Sequence, residues 1–438
     1  MIMHVTALET VRSEVQPNVC QVVVHTSEGI RGLGETFWGA EAVEAYLHES
    51  VAPVLLGLEN PAPERVAKLL SPYVGFGGSG AETRGNGAVD IALWDLLGRR
   101  AELPVAALLG GPVRESLRVY NTCAGTGYIR DEGRQSTANW GLVTGESDRY
   151  EDLDAFLHRP AELTRSLLEE GITAMKVWPF DSAAERTGGL HVSPADIRQG
   201  MKVLEEIRGA AGDRIDIVVE LHGLWSVKAA VEILTALEDV DPFWVEDPLR
   251  PDGVDGYRSL RARTSVPIAT GETLAGSRAF KPLLESGAID VAIIDISWSG
   301  GLTEARKVAA LADTYGIAVA PHDCTGPVSF ATCVQFIASQ PNGLIAETVR
   351  AFHHSWYGRM VEGLPVPVDG WVAPSTAPGL GVELTPEHLA APGTSRRVSL
   401  LKGSVAPSTA PGLGVELTPE YLAAPGTSRR VSRLKGSE

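Results

Sequence analysis

"VVELHGLW", residues 218–225, runs from a β-branched pair into a carboxylate and an imidazole two positions apart. Side chains alternate along a strand, so Glu220 and His222 are expected on one face at the end of a buried strand. A charged residue leaving the core would account for one such strand. The same pattern recurs, however, in "RVYNTC", "TAMKVW", "IDIVVELH", "PFWVED", "VPIATGE", "DVAIID", "GIAVAPHD" and "GLIAET", spread over residues 116–349. Amphipathic helical stretches such as "PAELTRSLLEEG", "PADIRQGMKVLEEIRGAAG", "SVKAAVEILTALEDV" and "GLTEARKVAALADTYG" separate most of them. Strands alternating with helices in this way predict a parallel (β/α)8-type TIM barrel, an α/β fold. An open doubly wound sheet is the alternative, but no glycine-rich dinucleotide fingerprint follows the first strand.

Most of these strands end on an ionisable residue: Lys176, Glu220 with His222, Glu246, Glu272, Asp295, His322 and Glu347. In a barrel the C-terminal strand ends converge on one pocket, so these side chains are expected to meet there. Glu220, Glu246 and Glu272 lie 26 residues apart on successive strands. Three buried carboxylates side by side repel and take up protons unless a cation neutralises them. An oxygen-only ligand set with no cysteine nearby suits Mg2+ better than zinc. The alternative is three helix-cap or loop carboxylates facing water.

Outside the barrel, residues 1–115 read as an α+β capping domain. Its strands include "VCQVVVHTSEGIRGLGE", its helical patterns "AVEAYLHES" and "PERVAKLLSPYV". A long apolar helix, "NGAVDIALWDLLGRRAELPVAALLGG", is stopped by Pro104, Gly110 and Gly111. Residues 350–404 form a C-terminal segment expected to pack on that cap. Residues 372–404 then recur at 405–437 with only His388→Tyr421 and Leu400→Arg433 changed. A solenoid needs at least three stacking units, so 405–438 reads as a surplus tandem duplicate.

Composition narrows the function classes. The 438 residues are 44% hydrophobic and 21% charged, in the range of a globular protein. A formal charge of -17 without clustered Lys and Arg argues against nucleic acid and anionic membranes as partners. No apolar run reaches a membrane span and "MIMHVTALET" lacks signal-peptide features, so a cytoplasmic location is expected. Cys20, Cys123, Cys324 and Cys333 form no CxxC pair and read as thiols.

"GLGET", "AVDIALWDLLGRRAELPVAALLGG", "WVEDP", "TGE" and "PGLGVEL", in this order, resemble the recurrent segments of the enolase superfamily, in particular its mandelate racemase-like branch. The resemblance covers residues 1 to about 390. It implies that Glu220, Glu246 and Glu272 hold Mg2+, although the family's first ligand is more often Asp. It places the Asp-His dyad on Asp295 and His322, and the eighth-strand acid that hydrogen-bonds the substrate carboxylate on Glu347. Where relatives with a lysine base have Lys-x-Lys, this chain has Lys176-Val177-Trp178. Lys176 would remain as a cation for the carboxylate. An indole N–H only donates, so Trp178 is expected to be a wall of the pocket.

The resemblance further implies abstraction of a proton α to a carboxylate by His322. His222, in an "LHG" similar to that of galactonate and mannonate dehydratases, would protonate the departing 3-hydroxyl. The expected function is a Mg2+-dependent acid-sugar dehydratase, a hydro-lyase giving a 2-keto-3-deoxy acid. Its partner would be a small-molecule acid sugar, selected by groups such as Asp181 and Arg250, and its assembly a homo-oligomer. The segment "GTGYIRDEGRQSTANWGLVTGESDRY" is a candidate lid, or a plain insertion. A racemase, epimerase or cycloisomerase would share the metal site but needs a second base opposite His322. A non-catalytic acid-sugar binder should have lost part of the triad or dyad, and all five residues are present.

Overall fold

The computed structural model describes residues 2–71, 78–130, 136–142 and 149–401. The chain begins with three antiparallel strands, β1 (Val5–Ser13), β2 (Val19–Thr26) and β3 (Arg31–Phe37). Between β2 and β3 the turn uses Gly29 at φ 77, a left-handed conformation that glycine adopts without steric cost. β3 lies against the long helix Ala81–Ala101. The glycines of "GLGET" permit that approach, because a Cβ on Gly32 or Gly34 would come within 2.0 Å of the helix carbonyls of Ala92 and Ala88. The helix ends at Glu102, in the left-handed region with φ 56, ahead of Pro104; a short helix, Val105–Leu108, follows. The earlier helical pattern forms Pro63–Leu70, and residues 72–74 of it lie outside the described residues.

The same long helix ties the cap to the barrel. Asp90 Oδ1 accepts from the Thr303 amide at 2.9 Å, and Trp94 Nε1 donates to Thr303 Oγ1 at 3.0 Å. The first copy of the tandem repeat completes the cap sheet: its strand Thr394–Leu400 pairs antiparallel with β1, Ala7 opposite Leu400. The second copy, 405–438, lies outside the described residues.

Eight parallel strands follow: β4 (Leu117–Thr122), β5 (Ala174–Val177), β6 (Asp216–Glu220), β7 (Trp244–Glu246), β8 (Ile268–Thr270), β9 (Val291–Ile294), β10 (Ala318–Pro321) and β11 (Ala346–Thr348). Each neighbours the next in sequence from β4 to β10, and β11 pairs with β4. The parallel bridge Val319–Gly343 and the bond from Leu344 N to Val319 O, 2.9 Å, close the ring between β10 and β11. This is the predicted barrel. Its strands are shorter than expected: β6 stops at Glu220, β8 at Thr270 and β10 at Pro321, so His222, Glu272 and His322 stand on the turns just beyond. His222 has φ 50, so a tight turn rather than strand alternation brings it beside Glu220. No helix among the described residues is long and apolar enough to cross a membrane.

Candidate active site

Glu220 and Glu246 are register partners on β6 and β7, and Glu272 approaches from the turn after β8. One oxygen from each carboxylate lies within 4.8 Å of the others. Lys176 Nζ stands 2.9 Å from Glu246 Oε1, 2.9 Å from Glu347 Oε1 and 3.6 Å from Glu220 Oε2. Glu246 Oε2 accepts from Trp244 Nε1 at 2.9 Å. Burial, then repulsion from Glu220 and its neighbours, pushes the Glu246 carboxyl well up despite Lys176. Burial raises Glu272 as well, against the pull of His322. Burial would also raise Glu220, but His222 and Lys176 hold it down. Glu220 Oε2 is buried without a hydrogen-bond partner. A crowded oxygen-only triad with one unsatisfied acceptor fits a hard divalent cation, which would remove the mutual repulsion.

On one side of the triad, His322 Nδ1 lies 2.9 Å from Asp295 Oδ2, and its Nε2 lies 3.3 Å from Glu272 Oε2. Asp295 Oδ1 is held by Ser297 Oγ at 2.9 Å and the Trp298 amide at 2.8 Å, which fixes the carboxylate against the ring. Burial disfavours the imidazolium, yet Glu272, then Asp295 and Glu347, set the His322 pKa well above the ordinary value. The Trp298 ring lies 5.2 Å from the His322 ring, and its Nε1 donates to Phe37 O of the cap at 2.9 Å.

On the other side, the His222 amide donates to Glu220 Oε1 at 2.6 Å and His222 Nδ1 lies 2.8 Å from Asp181 Oδ2. Burial lowers the His222 pKa, but Asp181 first and Glu220 second raise it to about 10. Asp181 Oδ2 is thus turned to the histidine, while its Oδ1 is buried without a hydrogen-bond partner. Trp178, expected in the pocket wall, lies next to this pair. It is only 1% exposed and packs behind His222 at 5.9 Å, with Phe156 at 5.1 Å and Tyr128 at 5.5 Å. Its length carries it past the strand end into the aromatic cluster under the histidine.

Glu347 is fully engaged: Thr122 Oγ1 and the Asp323 amide donate to it, and Lys176 pairs with it. Burial works against its charge, but Lys176 and His322 lower its pKa to about 2. Arg250 sits at the rim, its side chain 80% exposed and 3.5 Å from Asp252. It lines, with His222, Asp247 and Ser277, a cavity of about 990 Å³ that reaches Ser79 of the cap. Of the candidate lid, residues 131–135 and 143–148 lie outside the described residues; Tyr128, which packs on Trp178, belongs to it. Trp298 and Asp247 escaped the sequence reading. Asp247 adjoins Glu246 in "WVEDP" and Trp298 follows Asp295 by three, signals that were present but weak.

A family model described as enolase C-terminal domain-like matches residues 159–388, and one described as mandelate racemase / muconate lactonizing enzyme, N-terminal domain, matches residues 3–110. The chain is 31% identical over 395 residues to a D-galactonate dehydratase of Verminephrobacter eiseniae, covering 87% of this chain and 92% of that one. It is 29% identical to a D-xylonate dehydratase of Haloferax volcanii, over 83% and 82% of the two chains. Among solved structures, an enolase of the mandelate racemase subgroup from Agrobacterium tumefaciens is 42% identical with TM-score 0.80, covering 91% of this chain and 99% of that one.

Proposed function

The chain belongs to the mandelate racemase/muconate lactonizing enzyme family of the enolase superfamily, and from that premise we propose that it is a Mg2+-dependent acid-sugar dehydratase. The observation that carries the reading is the pair of histidines flanking one carboxylate triad, each held by its own aspartate at 2.8–2.9 Å. Dehydration needs a base at the α-carbon and an acid at the leaving hydroxyl, and the two histidines are suited to opposite roles. The strongest pull on the His322 proton comes from Glu272, a member of the triad, whereas the strongest pull on the His222 proton comes from Asp181, which is not. Once Glu272 is committed to a cation, His322 loses its main reason to stay protonated and becomes a base. His222 loses the pull of Glu220 in the same way but keeps that of Asp181, which favours its protonated form and suits it to the acid's role.

Glu220, Glu246 and Glu272 would hold Mg2+, which when bound supplies charge stabilisation as the substrate carboxylate gains electron density. His322 Nε2 removes the proton from C2, and Asp295 stabilises the resulting imidazolium. The electron pair moves into the carboxylate and returns to form the C2–C3 double bond as the C3–O bond breaks. His222 delivers its proton to that oxygen, water leaves, and the enol becomes a 2-keto-3-deoxy acid. Lys176 between Glu246 and Glu347 keeps the floor of the site from accumulating negative charge.

The names of the dehydratase relatives support this reading. An isomerase needs a second base opposite His322, and Trp178 stands where lysine-base relatives would carry it. A panel of acid sugars incubated with Mg2+ and scored for 2-keto acid tests the proposal. At least one member should be converted, and EDTA should abolish the reaction; no conversion across the panel would refute it.

A further inference from the structure

Arg84 lies on the first turn of the cap helix Ala81–Ala101, and its side chain extends to Trp298 of the barrel. Its guanidinium carbon lies 4.7 Å over the Trp298 ring, which in turn lies 5.2 Å from the His322 ring. The cation thus stands one aromatic layer away from the base. The preceding residues, Gly78 and Ser79, line the large cavity beside His222.

What Arg84 lacks is an anion. Among the described residues no carboxylate lies within ion-pair distance of it; its Nη1 donates to Trp38 O at 3.3 Å, and its Nε is buried with no partner. A partly buried guanidinium without a counter-ion is costly, and an acidic chain has carboxylates to spare for pairing it. Lying over an indole face positions the guanidinium but satisfies none of its N–H groups, and those not bonded to Trp38 O are donors whose geometry suits a carboxylate. Burial lowers its pKa, and the attraction of Asp295 opposes that.

We propose that Arg84 receives a second carboxylate of the substrate, so that the site selects aldarates, acid sugars carboxylated at both ends, over aldonates ending in a hydroxymethyl group. The inference rests on the dehydratase reading and departs from the relatives named above, which are named for aldonates. The first carboxylate would lie at the triad, and the sugar chain would extend past His322 and along Trp298 toward the cap.

The test uses the full-length Mg2+-loaded protein with matched aldarate–aldonate pairs of the hexose series, beginning with galactarate and galactonate. The wild type should favour the diacid by more than about tenfold in kcat/KM, the scale of one charge-assisted contact. Arg84→Gln should bring the ratio within about threefold of unity, and Arg84→Lys should retain part of it. A wild type that favours the monoacid, or an Arg84→Gln variant that slows both members equally, would mean that Arg84 only pins Trp298. Calorimetric binding of the same pairs separates this inference from the reaction. If no 2-keto acid forms but the diacid binds tighter through Arg84, the dehydratase reading fails and the diacid site stands; equal binding of both acids overturns the diacid site.

Discussion

At one level of the barrel interior, Tyr120, Ala174, Val218, Trp244, Ala269, Ile293, Ala320 and Ile345 form an apolar plug, each at most 1% exposed. Two residues further along, on or just past the ends of seven of the same strands, stand Thr122, Lys176, Glu220, Glu246, Asp295, His322 and Glu347, at most 7% exposed and mostly ionisable. A two-residue step keeps both sets facing inward, so one geometric rule builds an apolar core at one level and an ionisable cluster at the next. The lower layer stabilises the fold by removing apolar surface from water. The upper layer costs stability, because its charges are desolvated and crowded. β8 breaks the pattern instructively: two residues beyond Ala269 stands Gly271 at φ 128, where a Cβ would meet Phe280 at 2.6 Å. The third carboxylate, Glu272, therefore enters from the turn and is more exposed than its two partners.

If the layers divide stability from chemistry, substitutions in each should move different observables. The largest effect belongs to the upper layer. Glu246→Gln should cut turnover by on the order of a thousandfold or more and abolish Mg2+ binding, while the melting temperature measured in EDTA holds or rises, because a strained buried carboxylate is gone. A collapse in melting temperature would show that the charged layer also holds the barrel together. Next is the lower layer: Trp244→Ala should destabilise by about 3–5 kcal/mol in denaturant unfolding. A smaller loss than that of any upper-layer variant would erase the distinction.

Away from both layers, Glu35 connects the cap to the barrel, its Oε1 accepting the Val328 and Ser329 amides at 3.0 and 2.9 Å. Burial lifts its pKa from 4.5 to about 7 despite those bonds. The folded state then binds a proton more tightly than the unfolded chain does. Below the unfolded pKa both states are protonated; stability falls as pH rises through the window between the two values, by up to about 3 kcal/mol, and stays lower above it. Glu35→Gln should remove that descending step from the stability profile, and an unchanged profile would place the pH sensitivity elsewhere. The smallest effect is expected at the tail. Thr394–Leu400 already fills the sheet edge beside β1, and His388 of the first copy already bonds Gln21 Oε1 at 2.9 Å. Ending the chain after Ser404 should leave melting temperature and turnover nearly unchanged, and a marked drop in either would give the second copy a structural role.

The barrel was legible because its strands and helices differ in period, and the meeting of Glu220, Glu246 and Glu272 because ionisable residues recur at strand ends whose convergence the fold dictates; the pairing of Asp295 with His322 came from the resemblance. What the sequence could not show is direction. Asp181 and Arg250 carry no mark of where they point; one buttresses His222 and the other stands at the rim. Trp178 was expected on the pocket wall because its position relative to Lys176 is known, but not how deep its indole would sink. Arg84 was invisible for a different reason: its relation to Trp298 spans 214 residues, from cap helix to barrel turn, and no local pattern encodes such a contact.

The central claim, that His322 is the base and His222 the leaving-group acid, is tested most directly by following the α-proton of a converted acid sugar in deuterated water with the His222→Asn variant. Proton abstraction should survive while loss of the hydroxyl lacks its acid. The variant should therefore exchange the α-proton for deuterium, with retained configuration, and form no 2-keto acid, whereas His322→Asn should do neither. Deuterated acid of inverted configuration would reveal a second base and favour an isomerase. Dehydration at the wild-type rate without His222 would contradict the account outright.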